Sequence, residues 1–149
     1  MPHSYMCCLV HIVFSTFERR TLIQEQMRER LHAYIGGIAR ENTMAALAVG
    51  GVEDHVHILL SLSRTVSVSK AVQLLKAGSS KWANETFPVA SKFAWQEGFW
   101  AFSIGASQRE NTVNYIHKQV EHHKRVSFSE ELAKFLAAYG MKEEGLNRP

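Results

Sequence analysis

The sequence predicts one α+β domain, in which strands and helices follow one another in the order β-α-β-β-α-β and further helices come after them. Two kinds of observation lead to this prediction. The chain has 149 residues, 46% of them hydrophobic, which is the size and composition of one globular domain that needs no disulfide bond. Short segments with apolar residues at every second position predict strands, and longer segments with apolar residues three or four apart predict helices.

The first half of the domain is predicted to contain a strand, a helix and a pair of strands. Residues 5–15 are apolar on both faces, which is typical of a strand at the centre of a sheet. Thr21 is the predicted cap of a helix that continues to about Arg40. Residues 44–51 and 55–62 follow as two strands joined by a short turn.

The second half of the domain is predicted to be mainly helical. Pro88 ends the first of its helices, because the residue before a proline avoids the helical conformation, and Gly140 ends the last one. The tail, about residues 142–149, is predicted to fray. The predicted elements are a helix over 67–87, a short strand over 100–104, a helix over 108–125 and a helix over 128–139.

This order of elements favours a ferredoxin-like architecture. Two βαβ-like halves around a central hairpin form one antiparallel sheet with helices on one face. The C-terminal helices are an addition to that plan. Residues 1–149 are interpreted as a single domain, and the fold by itself does not decide a function because it supports many.

Composition excludes several classes of protein. The only cysteines, Cys7 and Cys8, are adjacent and would point to opposite faces of a strand, so we expect two free thiols and a cytoplasmic location. The N-terminal residues do not resemble a signal peptide. No apolar stretch is long enough to cross a bilayer, so we expect no contact with a membrane.

Positive charge is concentrated in the middle of the chain. Residues 64–125 carry nine lysines and arginines against four acidic residues, whereas the segments on either side are slightly negative. A basic segment of this kind fits a polyanionic partner such as a nucleic acid. It also fits an ordinary solvated helix surface, and charge alone does not separate the two interpretations.

Two local patterns are candidates for chemistry. His55 and His57 share one face of a strand, so that two imidazoles could bind one metal ion or could simply satisfy hydrogen bonds on the sheet. On the third predicted helix, Tyr115, Gln119 and His122 lie on one face, beside an apolar stripe. That helix could cover a site, although ordinary amphipathicity explains the same spacing.

Taken together, the ordered motifs resemble those of a known family. They match the single-tyrosine HUH (TnpA-like) transposases of bacterial insertion sequences, with the REP-associated tyrosine transposases as relatives. The resemblance covers about residues 5–141. The motifs that carry it are residues 11–16 in the first strand, His55-Val56-His57, residues 76–82, residues 93–98 with 101–103, and Tyr115-Ile116 with Gln119, His122 and His123.

The resemblance implies a metal-dependent strand transferase that cleaves single-stranded DNA. It assigns Tyr115 as the nucleophile, which forms a 5′-phosphotyrosine and frees a 3′-hydroxyl, and assigns His55, His57 and Gln119 as ligands of a divalent ion. Two imidazoles and an amide suit Mg²⁺ or Mn²⁺, whereas Zn²⁺ more readily takes a thiolate or carboxylate as its third ligand. The intermediate conserves the energy of the phosphodiester bond, so that rejoining needs no ATP.

The resemblance also implies partners. Family members act as homodimers on DNA with hairpin ends, and in many of them the tyrosine helix acts in trans, completing the site of the other subunit. Phe93, Trp95, Phe99 and Trp100 could stack on unpaired bases, although packing in the core is the favoured interpretation. The phosphate-binding candidates are Lys70, Lys76, Lys81, Arg109, Lys118, Lys124 and Arg125.

Two other functions stay open. A catalytically inactive, domesticated nucleic-acid-binding module would use the basic middle segment without needing Tyr115 and Gln119. A small metal-dependent hydrolase would use His55 and His57 with His122 or His123, and would leave hydrolysed phosphate instead of a protein–DNA adduct.

Overall fold

A four-stranded antiparallel sheet forms the centre of the computed structural model, which describes residues 4–87 and 92–141. The order of strands across the sheet is β2-β3-β1-β4, so that the first and third strands are central. This is the ferredoxin-like arrangement, and the predicted fold class is confirmed. The strands are β1 (Leu9–Ser15), β2 (Ala45–Gly51), β3 (His55–Ser61) and β4 (Trp100–Ile104).

Five α-helices accompany the sheet in the part of the chain that the structure describes. None of the helices within the described ranges has both the length and the hydropathy that crossing a membrane requires. Short 3-10 helices at Phe17–Arg19 and Ala106–Gln108 precede α1 and α3. The α-helices are α1 (Glu25–Glu41), α2 (Val68–Thr86), α3 (Arg109–His117), α4 (Gln119–His122) and α5 (Phe128–Ala138).

The helices cover both faces of the sheet. Alternate residues of β1, such as Ile12 and Phe14, are fully buried in the main core, which α1 and α2 share. The opposite face of the same strand packs on the C-terminal helices: Val13 contacts the apolar face of α5, and Leu9 lies in a cluster with Ile116 of α3. The second face is therefore also enclosed, and the candidate site lies there.

Three predicted boundaries differ from the structure. β1 begins at Leu9 instead of residue 5, because Leu9 pairs with the last residues of both neighbouring strands. Thr21 does not cap α1; the chain stays extended to Gln24, held by a hydrogen bond from the Ile23 amide to the Glu53 carbonyl. The predicted helix over 108–125 is interrupted at Lys118, whose backbone leaves the helical conformation.

Other helix ends follow the sequence signals. The Ser67 hydroxyl accepts a hydrogen bond from the Lys70 amide and caps α2. Ser127 and Glu130 form a reciprocal capping box at the start of α5. Gly140, which follows α5 closely, has a positive φ of 66°. Pro88 and residues 142–149 lie outside the described residues.

Candidate metal and tyrosine site

Two buried imidazoles project from β3 on the side of the sheet that the C-terminal helices cover. His55 and His57 are both fully buried and share one face, as strand alternation predicts. The ring of Phe128, at the start of α5, stacks on the His55 ring with centroids 3.9 Å apart. Because packing holds the imidazoles on the sheet, their orientation is fixed by the fold.

Hydrogen bonds to oxygen acceptors determine which nitrogen of two histidines carries the proton. Nδ1 of His55 lies 2.7 Å from a carboxylate oxygen of Asp54, and Nδ1 of His123 lies 2.8 Å from the carbonyl oxygen of Val126. Both partners are acceptors, so each Nδ1 donates. In the neutral imidazoles, Nε2 is then left with a free lone pair.

These lone pairs point toward one another and toward side-chain oxygens. Oε1 of Gln119 lies 3.3 Å from Nε2 of His55 and 2.9 Å from Nε2 of His123. Oε1 of Glu131 lies 2.9 Å from Nε2 of His57. The Gln119 amide nitrogen donates to the other oxygen of Glu131 at 3.1 Å, which leaves its carbonyl oxygen for the imidazoles. Imidazole nitrogens and side-chain oxygens that converge in this way can bind a cation.

The dimensions of this cluster also fit one ion. One donor atom from each of His55, His57, His123 and Glu131 lies within 4.8 Å of the others. The side chains come from β3, the segment after α4, and α5. The sequence-based reason for disfavouring Zn²⁺ was the absence of a charged ligand, and Glu131 removes it.

Tyr115 lies at the edge of the same cluster. Its phenol donates a hydrogen bond to Oε2 of Glu131 and lies 3.3 Å from Nε2 of His122. Its ring centroid is 5.8 Å from that of His57 in the same chain. The chain thus brings a phenol and several imidazoles to one carboxylate.

The position of Tyr115 depends on how closely α3 approaches the sheet. The next residue, Ile116, is fully buried against β2 and β3. A Cβ atom on Gly50 would overlap the carbonyl oxygen of Ile116, so only glycine allows this approach. After the interruption at Lys118, the side chain of Gln119 is buried in the site.

Burial and hydrogen bonding set the protonation states of the cluster. Burial lowers the pKa of His57 to about 4, against the opposing effect of Glu131. Burial and the Glu131 carboxylate raise the pKa of the Tyr115 phenol above its usual value. Burial alone would raise the pKa of Glu131, but its hydrogen bonds to three histidines hold it well below the ordinary value. At neutral pH the carboxylate is therefore ionised while His57 and the phenol are neutral.

His55 responds differently from His57. Burial lowers its pKa, but the hydrogen bonds to Asp54 and Glu131 outweigh burial and raise the pKa above that of a free histidine. Two acidic partners therefore favour a positive charge at this position. A bound cation would satisfy the same two carboxylates.

The predicted phosphate-binding residues differ in their surroundings. Lys76 is half-buried, and its ammonium donates hydrogen bonds to the carbonyl oxygens of Gln96, at 2.7 Å, and Gly98. Burial lowers its pKa to about 8. The other six predicted residues are exposed, namely Lys70, Lys81, Arg109, Lys118, Lys124 and Arg125.

Three of these exposed cations surround the nucleophile candidate. Lys118, Lys124 and Arg125 line a cleft of about 520 Å³ that opens at Tyr115 and His122. Lys70 and Lys81 lie on α2, against the other face of the sheet. The cleft therefore places three positive charges beside Tyr115, together with the carboxylate of Glu121.

The aromatic side chains between residues 93 and 100 pack in or against the core. Phe93 and Trp95 are buried, and the indole nitrogen of Trp95 donates to the Ser79 hydroxyl at 2.9 Å. Phe99 packs against the main core and Trp100 against the cluster that includes Phe128. This agrees with the favoured interpretation that these rings pack in the core.

Glu131 and His11 are part of the site although the sequence interpretation did not select them as site residues. Glu131 occurs in the apolar stripe of α5, between Phe128 and Leu132, and an acidic residue on a buried helix face is a usable signal of function. His11 shares the site face of β1 and hydrogen-bonds to His57.

A ferredoxin-like sheet with paired histidines and a tyrosine on a late helix defines a class of DNA-processing domain. The family model described as "Transposase IS200 like" matches residues 4–119, which is more than half of the chain. The chain therefore belongs to the IS200-like transposase family, and the resemblance described above is confirmed.

Individual relatives agree with this membership. The transposase for insertion sequence element IS200 of Salmonella typhimurium is 24% identical over 129 residues, covering 83% of this chain and 84% of that protein. A Deinococcus radiodurans protein solved by crystallography superposes with a TM-score of 0.63 at 20% identity, covering 78% of this chain and 94% of its own. A REP-associated tyrosine transposase bound to a REP hairpin superposes with a TM-score of 0.61 at 17% identity, covering 85% and 74%. At these identities the two structures establish the likeness of fold.

Proposed function

We propose that this transposase cleaves and rejoins single-stranded DNA through a 5′-phosphotyrosine on Tyr115, assisted by a divalent ion, Mg²⁺ or Mn²⁺, at His55, His57 and Gln119. One observation carries the proposal. The Tyr115 phenol, the Gln119 amide and both imidazoles all contact the carboxylate of Glu131. A nucleophile and a cation site therefore lie side by side.

The reaction follows from this arrangement. The Tyr115 oxygen attacks the phosphorus; a bond from the phenolic oxygen to phosphorus forms, the bond from phosphorus to the 3′-oxygen breaks, the phenol loses a proton and the 3′-oxygen gains one. A neutral phenol is a weak nucleophile, and burial makes Tyr115 harder to ionise. A divalent ion at this site would supply stabilisation of the charge that develops on the phosphate. Attack by a 3′-hydroxyl on the phosphotyrosine reverses these bond changes and rejoins the DNA.

The partner that we propose is single-stranded DNA with a hairpin. The exposed cations around Tyr115 suit a phosphate backbone, and a structural neighbour of this chain is bound to a REP hairpin. We also infer a homodimer. Its tyrosine helix would act in trans, so that the helix carrying Tyr115 in one subunit completes the site of the other. The free cysteines Cys7 and Cys8 support a cytoplasmic location.

The test uses the Tyr115→Phe variant and single-stranded hairpin DNA taken from the sequence that flanks the gene. The oligonucleotide is labelled at its 3′ end, because the 5′-phosphate fragment stays on the protein. With Mn²⁺ present, we expect the wild type to gain label in a denaturing gel and Tyr115→Phe to gain none. Tyr34→Phe is the matched control, since Tyr34 is an exposed tyrosine on α1.

The other results have defined meanings. An adduct in Tyr115→Phe would overturn the assignment of the nucleophile. Hairpin binding by the wild type without any adduct would identify an inactive binding module. Cleaved DNA without an adduct would identify a metal-dependent hydrolase that uses His55 and His57.

A further inference from the structure

We propose that Glu131 is a ligand of the divalent ion through Oε1 and a positioning residue for the Tyr115 phenol through Oε2. The inference rests on the proposed function and adds a residue to it. Glu131 lies beyond residues 4–119, the part of the chain that matches the family model. The role is therefore argued from contacts in this chain.

The first oxygen of Glu131 faces the imidazoles. Oε1 lies 2.9 Å from Nε2 of His57, 3.2 Å from Nε2 of His123 and 3.4 Å from Nε2 of His55. The Nδ1 atoms of His55 and His123 already donate hydrogen bonds, so their Nε2 atoms are the nitrogens that can face a cation. A carboxylate oxygen and imidazole nitrogens that face one another at these distances can bind one cation together. Oε1 is therefore placed as an anionic ligand of the same ion.

The second oxygen of Glu131 faces the nucleophile. Oε2 accepts hydrogen bonds from the Tyr115 phenol and, at 3.1 Å, from the Gln119 amide. Nε2 of His122 lies 3.2 Å away from the same oxygen. These contacts hold the phenolic oxygen of Tyr115 toward the proposed cation site. The two oxygens of one carboxylate connect the cation site with Tyr115.

The burial of Glu131 also calls for a cation. Its side chain is 1% exposed, and the basic partners within 4 Å of it in the described part of the chain are all imidazoles. A buried carboxylate is costly unless it is paired with a charge. A divalent ion bound between Oε1 and the histidines would supply that charge.

The backbone of α5 holds Glu131 rigidly. The helix begins with a capping box formed by Ser127 and Glu130, so that its first turn is fixed. Phe128 stacks on His55, and Leu132 packs against β1 and β4. A ligand on a rigid, packed helix is preorganised for binding, which is what a metal site requires.

The experiment compares Glu131→Gln with Glu130→Gln in the full chain. Glu130 is the adjacent exposed glutamate, and a glutamine preserves its capping box, so the two variants lose the same charge. After treatment with EDTA, each protein is titrated with Mn²⁺, and free Mn²⁺ is measured by electron paramagnetic resonance. We expect Glu131→Gln to bind Mn²⁺ about tenfold or more weakly than the wild type, and Glu130→Gln to match the wild type.

A second measurement tests the positioning role. The rate of adduct formation on the hairpin DNA is followed at saturating Mn²⁺, so that weaker binding is compensated. A glutamine has one acceptor oxygen where Glu131 has two, so it cannot serve both the ion and the phenol, and we expect its rate to stay about tenfold below that of the wild type. A rate equal to that of the wild type would overturn the positioning role.

The outcomes separate this inference from the proposed function. Equal Mn²⁺ affinity of Glu131→Gln and the wild type would overturn the ligand role, whether or not adducts form. Absence of an adduct in the wild type, with weaker Mn²⁺ binding in Glu131→Gln, would overturn the proposed chemistry but leave the ligand role standing.

If Glu131→Gln fails to fold, Glu131→Asp keeps the charge but withdraws the carboxylate. The ligand role then requires weaker Mn²⁺ binding at an unchanged unfolding midpoint in EDTA, and equal affinity would overturn it.

Discussion

Nε2 of His11 lies 2.8 Å from Nδ1 of His57, and the two rings come from neighbouring central strands. Burial lowers the pKa of His11 to about 3, so that its imidazole is neutral at physiological pH. When an ion binds Nε2 of His57, its proton lies on Nδ1, and a neutral His11 can accept that proton in a hydrogen bond at Nε2. His11 therefore orients a proposed metal ligand without contacting the ion.

This relationship predicts that His11→Phe weakens metal binding. Phenylalanine fills a similar volume but accepts no hydrogen bond, so that the orientation of His57 is no longer fixed. We expect the Mn²⁺ affinity to fall about tenfold, which is the usual effect of losing such a supporting bond. Titration of the EDTA-treated protein measures it, with the exposed His117→Phe as the control. An unchanged affinity in His11→Phe would show that packing alone orients His57.

Gly50→Ala is predicted to separate α3 from the sheet. The new Cβ atom would overlap the backbone carbonyl of Ile116, which neither side-chain rotation nor a small local shift relieves. We expect the free energy of unfolding in urea to fall by about 1–3 kcal/mol, and adduct formation to slow because Tyr115 is displaced.

The control for Gly50→Ala is a glycine with room for a methyl group. Gly37 lies in α1, and a methyl group added there would have the flexible end of Arg40 as its nearest neighbour, at 3.7 Å. Gly37→Ala should raise the free energy of unfolding by about 0.5–1 kcal/mol, because alanine is the better helix former. Equal stability of Gly50→Ala and the wild type would contradict the close approach of α3.

The sequence was sufficient for the sheet and for the histidine pair. All four strands were predicted, and the shared face of His55 and His57 follows from strand alternation. The interruption of the third predicted helix could not be predicted. Residues 115–119 contain neither glycine nor proline, and the break at Lys118 directly precedes Gln119, which is buried in the site.

Local sequence patterns also could not predict the full set of side chains that meet at the site. Glu131 is separated from His57 by 74 residues, and their contact depends on how α5 lies across the sheet. Spacing on one helix relates residues three or four apart, but it does not relate two elements that meet only after folding. The signal that was present, an acidic residue in an apolar stripe, identifies an unusual residue without naming its partners.

The burial of His32 predicts that the folded protein loses stability in mild acid. Burial, together with Arg28, lowers its pKa in the folded protein to about 4, whereas the ordinary value is 6.5. Between these values the unfolded chain binds a proton that the folded chain does not, so the free energy of unfolding falls as the pH drops from 6.5 to 4. Above pH 6.5 the His32 imidazole is neutral in the folded and the unfolded chain, and below pH 4 it is protonated in both. The loss amounts to up to about 3 kcal/mol.

The measurement is urea unfolding in EDTA between pH 7.5 and 4, for the wild type and His32→Gln. A glutamine has no proton to gain in this range, so the variant should lose less stability than the wild type as the pH falls. Comparing the two profiles removes the contribution of the other histidines. Parallel profiles would show that His32 is protonated equally in the folded and unfolded chain, contrary to its burial.

The last prediction concerns the cleft at Tyr115, which we expect to hold the DNA backbone. Replacing Lys118, Lys124 and Arg125 by glutamine on a Tyr115→Phe background removes three charges without allowing cleavage. Each lost phosphate contact should reduce the slope of log affinity against log salt by about 0.7 for single-stranded DNA. The triple variant should therefore lose about two units of slope. Lys70→Gln, on the opposite face, should lose none, and an equal loss there would mean that binding is spread over the whole basic surface.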